Sequence, residues 1–575
     1  MRNYKEEYQH WLDSPALSED EWAELNAIAN DEKEIESRFF APLEFGTAGL
    51  RGTMKVGLHH MNVHVIRHAT QAFANIIKAE GQAAMEKGIV ICYDCRLNSD
   101  VFAREAACVM AANGIKVRLF EALRPTPELS FAVRYYGTTA GLNITASHNP
   151  KEYNGYKVYW SDGAQLPPQH AAAIAEQMGI VDIFNGFTRC DFNEAVADGR
   201  ITLIGAEADE AYLERVLGQA IDKDVVARVS DSFKIVYTPF HGAGHRLVPE
   251  ALRRLGITKL YPVKEQMVLD GSFPTVESPN PENPEGFYLA IDLAKTVGSD
   301  IIIGTDPDSD RIGVMVRDGE GYTGITGNQL GVLLLDYVIN AKRRTGTLPE
   351  NAGAVKSIVT TEMAKKVAEV NGVHLEDTFT GFKFMAERVA EWEKAGSYEY
   401  IFAYEESYGY MMGEYVRDKD AVTASMMVAE MAAYYFEKGM TLKDAMESLY
   451  EKYGRYGEKT LNLVMPGLDG LEKMKKLMDT LRAEPPKSIG GTEVFRVRDY
   501  SDGSISVPGL GKVDETPIKG SNVLYFELAD GSSFIVRPSG TEPKIKVYIL
   551  CKGEDKAECD AKIAAYCEFA EALKK

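Results

Sequence analysis

Apolar positions in the first part of the chain switch repeatedly between a helical and a strand-like spacing. The run HVIRHATQAFANIIKAEG (64–81) has the apolar period of a helix, and GIVICYD (88–94) is a short apolar run typical of a buried strand. The helical run DVFAREAACVMAANG (100–114) follows, and then the strand-like runs IKVRLF (115–120) and AGLNIT (140–145). This alternation predicts a mostly parallel sheet covered by helices. In such sheets, functional loops follow the carboxyl ends of strands.

The same alternation recurs twice more along the chain. A second block contains the strand-like runs FKIVYTPF (233–240) and DIIIGTD (300–306), followed by a predicted hairpin that turns at Asp318-Gly319. A third block begins with the helical run NQLGVLLLDYVINAKRR (328–344). It continues through the strand-like runs AVKSIVT (354–360), HLEDTF (374–379) and EYIFAYEES (399–407), and closes with a long helix over about 420–438.

The last block has a different sequence pattern, in which two strand-like runs flank a loop of Gly, Ser and Pro and a terminal helix follows. This pattern predicts a smaller antiparallel sheet with helices on one face. The fold class is therefore α/β, with three mixed-sheet α/β domains and a smaller C-terminal α+β domain. We place the domains at 1–207, 208–321, 322–455 and 456–575.

Composition narrows the classes of function. The 575 residues carry a formal net charge of −21, which argues against nonspecific nucleic-acid binding because that needs clustered cations. No apolar run reaches the roughly 20 residues of a membrane helix, and the first residues lack a secretory pattern. The seven cysteines are thinly spread and fit reduced thiols. We therefore expect a cytoplasmic protein with no nucleic-acid or membrane partner.

The acidic loop GTDPDSDRIG suggests a metal site. Asp306, Asp308 and Asp310 alternate, which in an extended segment sends three carboxylates to one side, and a hard cation such as Mg²⁺ relieves their repulsion. A calcium EF-hand needs Gly and Glu where Arg311 and Arg317 stand, so that reading is excluded. A solvated acidic turn is the alternative. Arg311 either holds a phosphoryl oxygen or offsets the negative charge.

Ser147 stands in an exposed-looking polar loop, directly after the strand-like run AGLNIT. Two readings remain open on these residues alone. The Asn-Pro that follows is ordinary turn chemistry, so the serine fits a strand-ending turn. Alternatively, Ser147 is a nucleophile presented on a loop at a strand end.

Three further loops have the chemistry to bind anions or sugars. In RPSGTEPK, the guanidinium, hydroxyls and amides of Arg537, Ser539, Gly540 and Thr541 can enclose a phosphate, although a plain hairpin turn uses the same residues. In FAYEESYGY, Glu405 and Ser407 match vicinal sugar hydroxyls. TFTGFKF adds Thr380 and Lys383, and DKD adds Lys419 for anionic groups.

Taken together and in this order, these loops resemble those of the α-D-phosphohexomutase superfamily, the phosphoglucomutases and phosphomannomutases. TASHNP resembles the family's phosphoserine loop, GTDPDSDR its metal loop, YEESYG its sugar loop and RPSGTEPK its phosphate loop. FGTAGLRG is similar to its N-terminal Gly-Leu-Arg segment, which assigns Arg51. The resemblance implies four domains around a central cleft, three of them related.

The resemblance also implies a mechanism. Ser147 would carry a phosphoryl group, with its oxygen and the three aspartates on Mg²⁺, and a sugar 1,6-bisphosphate such as glucose 1,6-bisphosphate would be the intermediate. His148, Lys157 and Lys383 are the candidates for proton transfer or phosphoryl stabilisation. The implied substrate-binding residues are Arg51, Arg311, Thr380, Gly381, Glu405, Ser407, Lys419, Arg537, Ser539, Gly540 and Thr541.

Substrate choice within the family stays open. The paired Glu405 and Glu406 resemble the glucose-type loop, so a phosphoglucomutase is expected. NGYKVYW and DKD also resemble the branch that contains phosphopentomutases related to eukaryotic phosphoglucomutase-2, and phosphomannomutases are a further alternative. A metal-dependent sugar phosphatase is a remote reading, because separate sugar and phosphate loops favour a mutase. A non-catalytic sugar-phosphate sensor is the other remote reading, because every expected reactive position is filled.

Overall fold

The computed structural model describes residues 2–46, 49–465, 470–539 and 544–574. The chain divides into two compact units. Unit 1 contains Met1–Thr326 and Tyr408–Thr441, and unit 2 contains Gly327–Ser407 and Leu442–Lys575. Within the described ranges, no helix combines the length and apolar character needed to cross a membrane.

The first two blocks of the sequence form most of unit 1. The first block contains α1 (Tyr4–Leu12), α2 (Glu19–Ala27), α3 (Glu32–Phe39), β1 (Leu50–Thr53), α4 (Val63–Ala79), α5 (Gln82–Lys87), β2 (Ile89–Tyr93), α6 (Ser99–Ala112), β3 (Val117–Phe120), α7 (Thr126–Tyr136), β4 (Ala140–Ile144), β5 (Tyr153–Trp160), α8 (Pro168–Ile180), α9 (Phe192–Ala197) and β6 (Ile201–Ile204). The second contains α10 (Ala206–Leu217), α11 (Lys223–Val229), β7 (Lys234–Thr238), α12 (Gly244–Leu255), β8 (Lys259–Pro262), a 3₁₀ turn (Pro284–Phe287), α13 (Tyr288–Val297), β9 (Ile301–Thr305), β10 (Ile312–Asp318) and β11 (Gly321–Ile325).

The last two blocks supply the remaining elements. The third block contains α14 (Gly327–Thr345), β12 (Ala352–Ser357), α15 (Met363–Asn371), β13 (His374–Thr378), α16 (Phe382–Ala395), β14 (Glu399–Glu405), β15 (Gly409–Met411), α17 (Ala421–Glu437) and α18 (Leu442–Tyr453). The fourth contains β16 (Arg455–Val464), α19 (Gly470–Ala483), β17 (Ser488–Ile489), β18 (Thr492–Asp499), β19 (Ser504–Val507), β20 (Gly511–Glu515), β21 (Leu524–Leu528), β22 (Ser533–Pro538), β23 (Lys544–Gly553) and α20 (Lys556–Ala572).

The first sheet of unit 1 has six strands in the order β1-β5-β4-β2-β3-β6. Strands β4, β2, β3 and β6 are parallel, and β5 runs antiparallel to both β4 and β1. Ile89 and Ile91 of β2 belong to one hydrophobic cluster, while Val90 and Cys92 belong to another. Both faces of the strand are therefore covered, which explains why its sequence is an unbroken apolar run.

The second sheet of unit 1 has the order β11-β10-β9-β7-β8. Strands β8, β7 and β9 are parallel, and the β10–β11 hairpin is antiparallel, as its sequence predicted. The loop between β9 and β10 holds the three aspartates. Helix α17 packs against α11 and α12 of this block, although it begins 166 residues after the end of α12.

Unit 2 contains three parallel strands in the order β13-β12-β14 and an antiparallel sheet. The antiparallel sheet runs β16-β23-β22-β21-β18-β19-β20, with β17 paired to β18. Among the residues that the structure describes it has eight strands, more than the sequence pattern indicated. The α/β fold class with an α+β C-terminal part is confirmed. The predicted domain boundaries stay predictions, and the two compact units divide the third predicted domain after Thr326, Ser407 and Thr441.

Candidate active site

Ser147 lies in the loop that follows β4, and its side chain faces the aspartate loop. Its Oγ donates a hydrogen bond to Oδ2 of Asp306 at 2.8 Å and lies 3.2 Å from Nδ1 of His148. Ser147 is only 3% exposed, whereas Pro150, Lys151 and Glu152 of the same loop are exposed, so the expectation of exposure is wrong for the serine but not for the rest of its loop. The reason is that the loop after β9 covers the serine, and that loop comes 159 residues later in the chain.

The three aspartates lie on a tight turn rather than on an extended segment. Oδ1 of Asp306 accepts the amides of Asp310 at 3.0 Å and Arg311 at 2.9 Å, and Ser309 at the turn has a positive φ of 52°. The turn, and not strand alternation, brings the carboxylates together, which corrects the sequence-based geometry. One oxygen from each of Asp306, Asp308 and Asp310 lies within 4.8 Å of the others, and all three residues are buried.

The charges in this cluster are strongly coupled. Burial, together with the negative charges of Asp308 and Asp310, raises the pKa of Asp306 well above its usual value. Burial would also raise the pKa of Asp308, but the ammonium of Lys157 outweighs burial, and the pKa of Asp308 is lowered overall. Nζ of Lys157 lies 2.6 Å from Oδ2 of Asp308. Burial lowers the pKa of Lys157, but the negative charges of Asp308 and Asp310 outweigh burial and raise the pKa overall, so this lysine stays charged.

The donor set fits a hard divalent cation. Oδ1 of Asp308 and Oδ1 of Asp310 are buried, and neither has a hydrogen-bond partner among the described residues. Buried carboxylate oxygens without a partner are costly unless a cation binds them. The loop runs into strand β10 instead of a helix, which agrees with the exclusion of an EF-hand.

Further cations surround the aspartates within unit 1. Nζ of Lys419 lies 3.1 Å from Oδ2 of Asp310, and Nη1 of Arg311 lies 3.2 Å from Oε1 of Glu282. Nη1 of Arg51 donates to Oδ1 of Asn149 at 3.0 Å, which brings it to the serine loop. Burial and the charges of Arg311 and Arg51 lower the pKa of His148 well below its usual value, so its imidazole is neutral at physiological pH.

The predicted sugar-binding residues lie in unit 2. Glu405 is buried at the end of β14, and Ser407 follows it. Thr380 and Gly381 lie between β13 and α16, where Gly381 has a φ of 119° that favours glycine. Lys383, in the first turn of α16, has a pKa lowered by burial and stands 4.7 Å from the centre of the Phe384 ring.

The predicted phosphate loop connects β22 to β23, so a hairpin and not a helix frames it. Arg537 pairs with Lys546 across the two strands, and the amide of Ser539 donates to the carbonyl of Lys544 at 2.8 Å. Gly540 and Thr541 lie outside the described residues.

Unit 1 therefore brings together Ser147, His148, Lys157 and the three aspartates, with Lys419 on Asp310. Sequence reasoning missed Thr126, whose hydroxyl donates to Oδ2 of Asp308 at 2.7 Å. It also missed Arg96, which donates to the carbonyl of Ser147 at 2.6 Å. The only available signal for Arg96 was its position just after β2, the parallel neighbour of β4, because the loops after both strands share one edge of the sheet.

Comparison with known domain families gives four matches, in order along the chain. These are the phosphoglucomutase/phosphomannomutase alpha/beta/alpha domains I (42–181), II (210–320) and III (326–453), and the C-terminal domain (496–565). The three aspartates lie within the second match, and Ser147 within the first.

Relatives with assigned names give the same result. A phosphoglucomutase of Staphylococcus haemolyticus (strain JCSC1435) is 35% identical over 518 residues, covering 89% of this chain and 91% of that protein. One of Staphylococcus aureus (strain N315) is 36% identical over 547 residues, covering 93% and 94%.

Among solved structures, parafusin, a phosphoglucomutase from Paramecium in its open form, matches with a TM-score of 0.67 at 19% identity, covering 93% of this chain and 95% of that one. A phosphoglucomutase/phosphomannomutase family protein from Burkholderia thailandensis matches with a TM-score of 0.64 at 19% identity, covering 92% and 97%. These two structures support the fold. The four domain matches, together with relatives that are similar to this chain over most of its length, establish that it belongs to the phosphoglucomutase/phosphomannomutase family.

Proposed function

We propose that the protein is a phosphoglucomutase that interconverts α-D-glucose 1-phosphate and glucose 6-phosphate. The observation that carries the proposal is the hydrogen bond of 2.8 Å between Oγ of Ser147 and Asp306, inside a buried cluster of three carboxylates. A serine held against such a cluster suits phosphoryl transfer, in which charge must be neutralised while a phosphoryl group moves between oxygens. The named staphylococcal relatives support the same activity.

The proposed reaction has two balanced transfers. The P–O bond of phospho-Ser147 breaks, a new P–O bond forms to the free hydroxyl of the hexose monophosphate, and the hydroxyl proton is released. Ser147 regains a proton, and the sugar becomes glucose 1,6-bisphosphate. After the intermediate reorients, the other phosphoryl group returns to Ser147 by the reverse chemistry.

The groups in unit 1 have distinct proposed roles. Asp306, Asp308 and Asp310, with an oxygen of Ser147, would hold Mg²⁺, which when bound supplies positive charge to the phosphoryl oxygens. His148, whose Nδ1 lies 3.2 Å from Oγ of Ser147, is placed to take part in proton transfer or to stabilise the phosphoryl group. Lys157 stays charged against Asp308, so its suited role is to stabilise the phosphoryl group. Arg51, Arg311 and Lys419 would bind phosphoryl oxygens.

The residues of unit 2 have proposed roles in holding the substrate. Glu405, Ser407, Thr380 and Gly381 would bind the sugar, and Lys383, whose pKa is lowered by burial, would assist proton transfer. The non-reacting phosphate would be bound by Arg537, Ser539, Gly540 and Thr541.

Burial of the serine favours a mutase over a phosphatase. A phosphatase must admit water to its phosphoenzyme, whereas a mutase must exclude it. At 3% exposure, Ser147 itself is shielded from bulk water, which suits a site that must protect its phosphoenzyme from hydrolysis.

The test is a panel of glucose, mannose and ribose 1-phosphates with Mg²⁺ and a trace of glucose 1,6-bisphosphate. We expect glucose 1-phosphate to give the highest turnover without net phosphate release, and intact mass to show one phosphate on the active protein. Ser147→Ala should lose that phosphate and several orders of magnitude of turnover, as loss of a covalent nucleophile does.

Ser161→Ala, at an exposed serine of the same block, is the matched control and should keep both. A preference for mannose or ribose phosphate would change the substrate. Free phosphate as the main product would indicate a phosphatase, and near-normal turnover of Ser147→Ala would refute the mechanism.

A further inference from the structure

Ser147 has a backbone conformation that residues other than glycine seldom adopt. Its φ is 52°, in the left-handed region, which costs a residue with a Cβ roughly 1–2 kcal/mol. Such a conformation persists only where neighbouring groups hold it. The surroundings of Ser147 must therefore supply contacts to its backbone.

Both backbone polar groups of Ser147 have a buried partner. Its amide donates to Oγ1 of Thr145 at 2.8 Å, and its carbonyl accepts Nη2 of Arg96 at 2.6 Å. These contacts lie on the two sides of the same Cα, so together they restrain both dihedrals of the residue.

The two partners are themselves held by one carboxylate. Oδ2 of Asp94 accepts the hydroxyl of Thr145 at 2.6 Å, and Oδ1 accepts the amide of Arg96 at 2.9 Å and the hydroxyl of Ser99 at 2.8 Å. Asp94 and Arg96 are each 2% exposed and Thr145 is fully buried. In such a place hydrogen bonds are strong, and a partner that is lost is not replaced by water.

The guanidinium of Arg96 also holds the rest of the serine loop. It donates to the carbonyls of Pro150 at 2.8 Å and Tyr153 at 3.0 Å, and to that of Asn149. On its other side it stands 5.2 Å from the ring centre of Phe273, a residue of the second block with a positive φ of its own. One side chain thus fixes four carbonyls between residues 147 and 153, which the single ammonium of a lysine could not do.

We propose that Arg96, supported by Asp94 and Thr145, is the positioning residue that holds Ser147 in its left-handed conformation, with Oγ directed at Asp306. The inference rests on the proposed function. Arg96 is not a catalytic residue, because its donors are directed at loop carbonyls. Its effect on transfer would come from geometry alone, and a displacement of about 1 Å at a reacting group can slow a reaction on the order of a hundredfold.

The test compares Arg96→Lys and Arg96→Ala with a matched control, Arg38→Ala. Arg38 is 6% exposed and donates to the carbonyl of Val56 at 3.0 Å, away from the serine loop. We expect both Arg96 variants to reduce kcat by about ten- to a hundredfold, with KM for the sugar phosphate within about twofold of wild type. Added guanidinium ion should restore part of the turnover of Arg96→Ala but not of Arg96→Lys. Arg38→Ala should keep kcat even where it lowers the melting temperature.

Hydrogen exchange separates this inference from the proposed function. Peptides covering 145–154 should exchange faster in Arg96→Ala, while peptides covering 300–312 should be unchanged, whether or not the protein is a mutase. If wild type lacked mutase turnover but the exchange difference appeared, the proposed function would fail and the restraint on Ser147 would stand. Wild-type exchange at 145–154 in Arg96→Ala, or wild-type kcat in both Arg96 variants, would overturn the inference. If Arg96→Ala does not fold, the Arg96→Lys variant decides on the same two measurements.

Discussion

At the scale of single residues, Asp308, like Asp310, combines one carboxylate oxygen held by the protein with one that is not. Its Oδ2 is bound by Lys157 and Thr126, and its Oδ1 has no hydrogen-bond partner among the described residues. The two contacts to Oδ2 fix the orientation of the carboxylate, and Oδ1 is left to bind a cation. The residue is thus both oriented by the protein and available to a metal.

Asp308→Asn should therefore weaken Mg²⁺ binding by at least about tenfold, because an amide keeps the shape but not the charge of the ligand. Titration calorimetry on metal-free protein measures the affinity, and EDTA followed by Mg²⁺ tests whether activity is lost and restored. Asp292→Asn, on the exposed side of α13, is the control and should bind Mg²⁺ like wild type. Unchanged affinity in Asp308→Asn, or full activity in metal-free buffer, would contradict the assignment.

At the scale of elements, the sequence predicted most strands and helices because their apolar runs are long and regular. It did not predict β5, an eight-residue strand that pairs with both β4 and β1. Residues 154–159 of this strand are all buried, so no polar–apolar alternation marks it. Its Asn, Gly and Lys also resemble a loop. The burial of Ser147 was equally hidden, since it depends on a turn from another sheet.

Gly155 shows how tightly β5 is enclosed. A Cβ added there would lie 2.4 Å from the carbonyl oxygen of Thr145 and 3.0 Å from that of Leu50, both of them backbone atoms. Gly155→Ala should therefore lower the free energy of unfolding by about 1–3 kcal/mol, as overpacking of a filled site does. Chemical denaturation measures it. Gly324→Ala in β11, where no atom lies within 4 Å of the added Cβ, should change stability far less. Equal effects in the two variants would contradict this reading of the packing.

The start of α2 supplies a pH-dependent contribution to stability. Glu21 completes a capping box with Ser18 and lies 3.1 Å from Nε2 of His64 in α4. Burial raises the pKa of Glu21, but His64 and the Ser18 amide outweigh it and lower the pKa from 4.5 to about 2. Since the folded pKa is the lower one, the stabilisation is fully present above pH 4.5 and is lost as the pH falls towards 2.

Glu21→Gln should accordingly destabilise the protein by about 1–2 kcal/mol at pH 6, after allowance for solvent screening, and by little near pH 2. Denaturation midpoints of the variant and wild type across this range test the sign. Glu19→Gln, in the same first turn but exposed, is the control. A difference that grew as the pH fell would show that the pKa of Glu21 is raised on folding.

At the scale of the whole molecule, the residues with proposed roles are distributed over both compact units. Because the net charge of the protein is −21, an anionic substrate has to be bound by local positive side chains. Arg537 of unit 2 is one of the side chains proposed for this role. Its assignment, like that of every other substrate-binding residue, stays a prediction, because it rests on a sequence motif.

Arg537→Ala should raise the apparent KM by about 30-fold or more and also lower kcat. Loss of one charge-assisted phosphate contact costs about 2–4 kcal/mol, and remote binding energy orients the reacting group. The variant should also depend more strongly on added glucose 1,6-bisphosphate, because a weaker grip lets the intermediate escape. Steady-state kinetics against bisphosphate concentration measures this, with Arg496→Ala on β18 of the same sheet as control. Unchanged KM, kcat and bisphosphate dependence would show that the loop is an ordinary hairpin turn with no role in binding phosphate.

Unit 1 is not continuous in the chain, and this bears on how it can form during synthesis. Lys419 reaches Asp310, and Asp420, which caps α17, accepts the hydroxyl of Tyr212, so residues 408–441 complete a unit whose main part ends at 326. A ribosome that has finished residue 326 must add the next 115 residues before the whole of that unit has been made, which takes on the order of 6–23 s at usual rates of translation. Until then, the faces of α11 and α12 that receive α17 have no cover from it. The nascent chain is therefore expected to expose that surface to chaperones for seconds, and only translation through residue 441 ends that exposure.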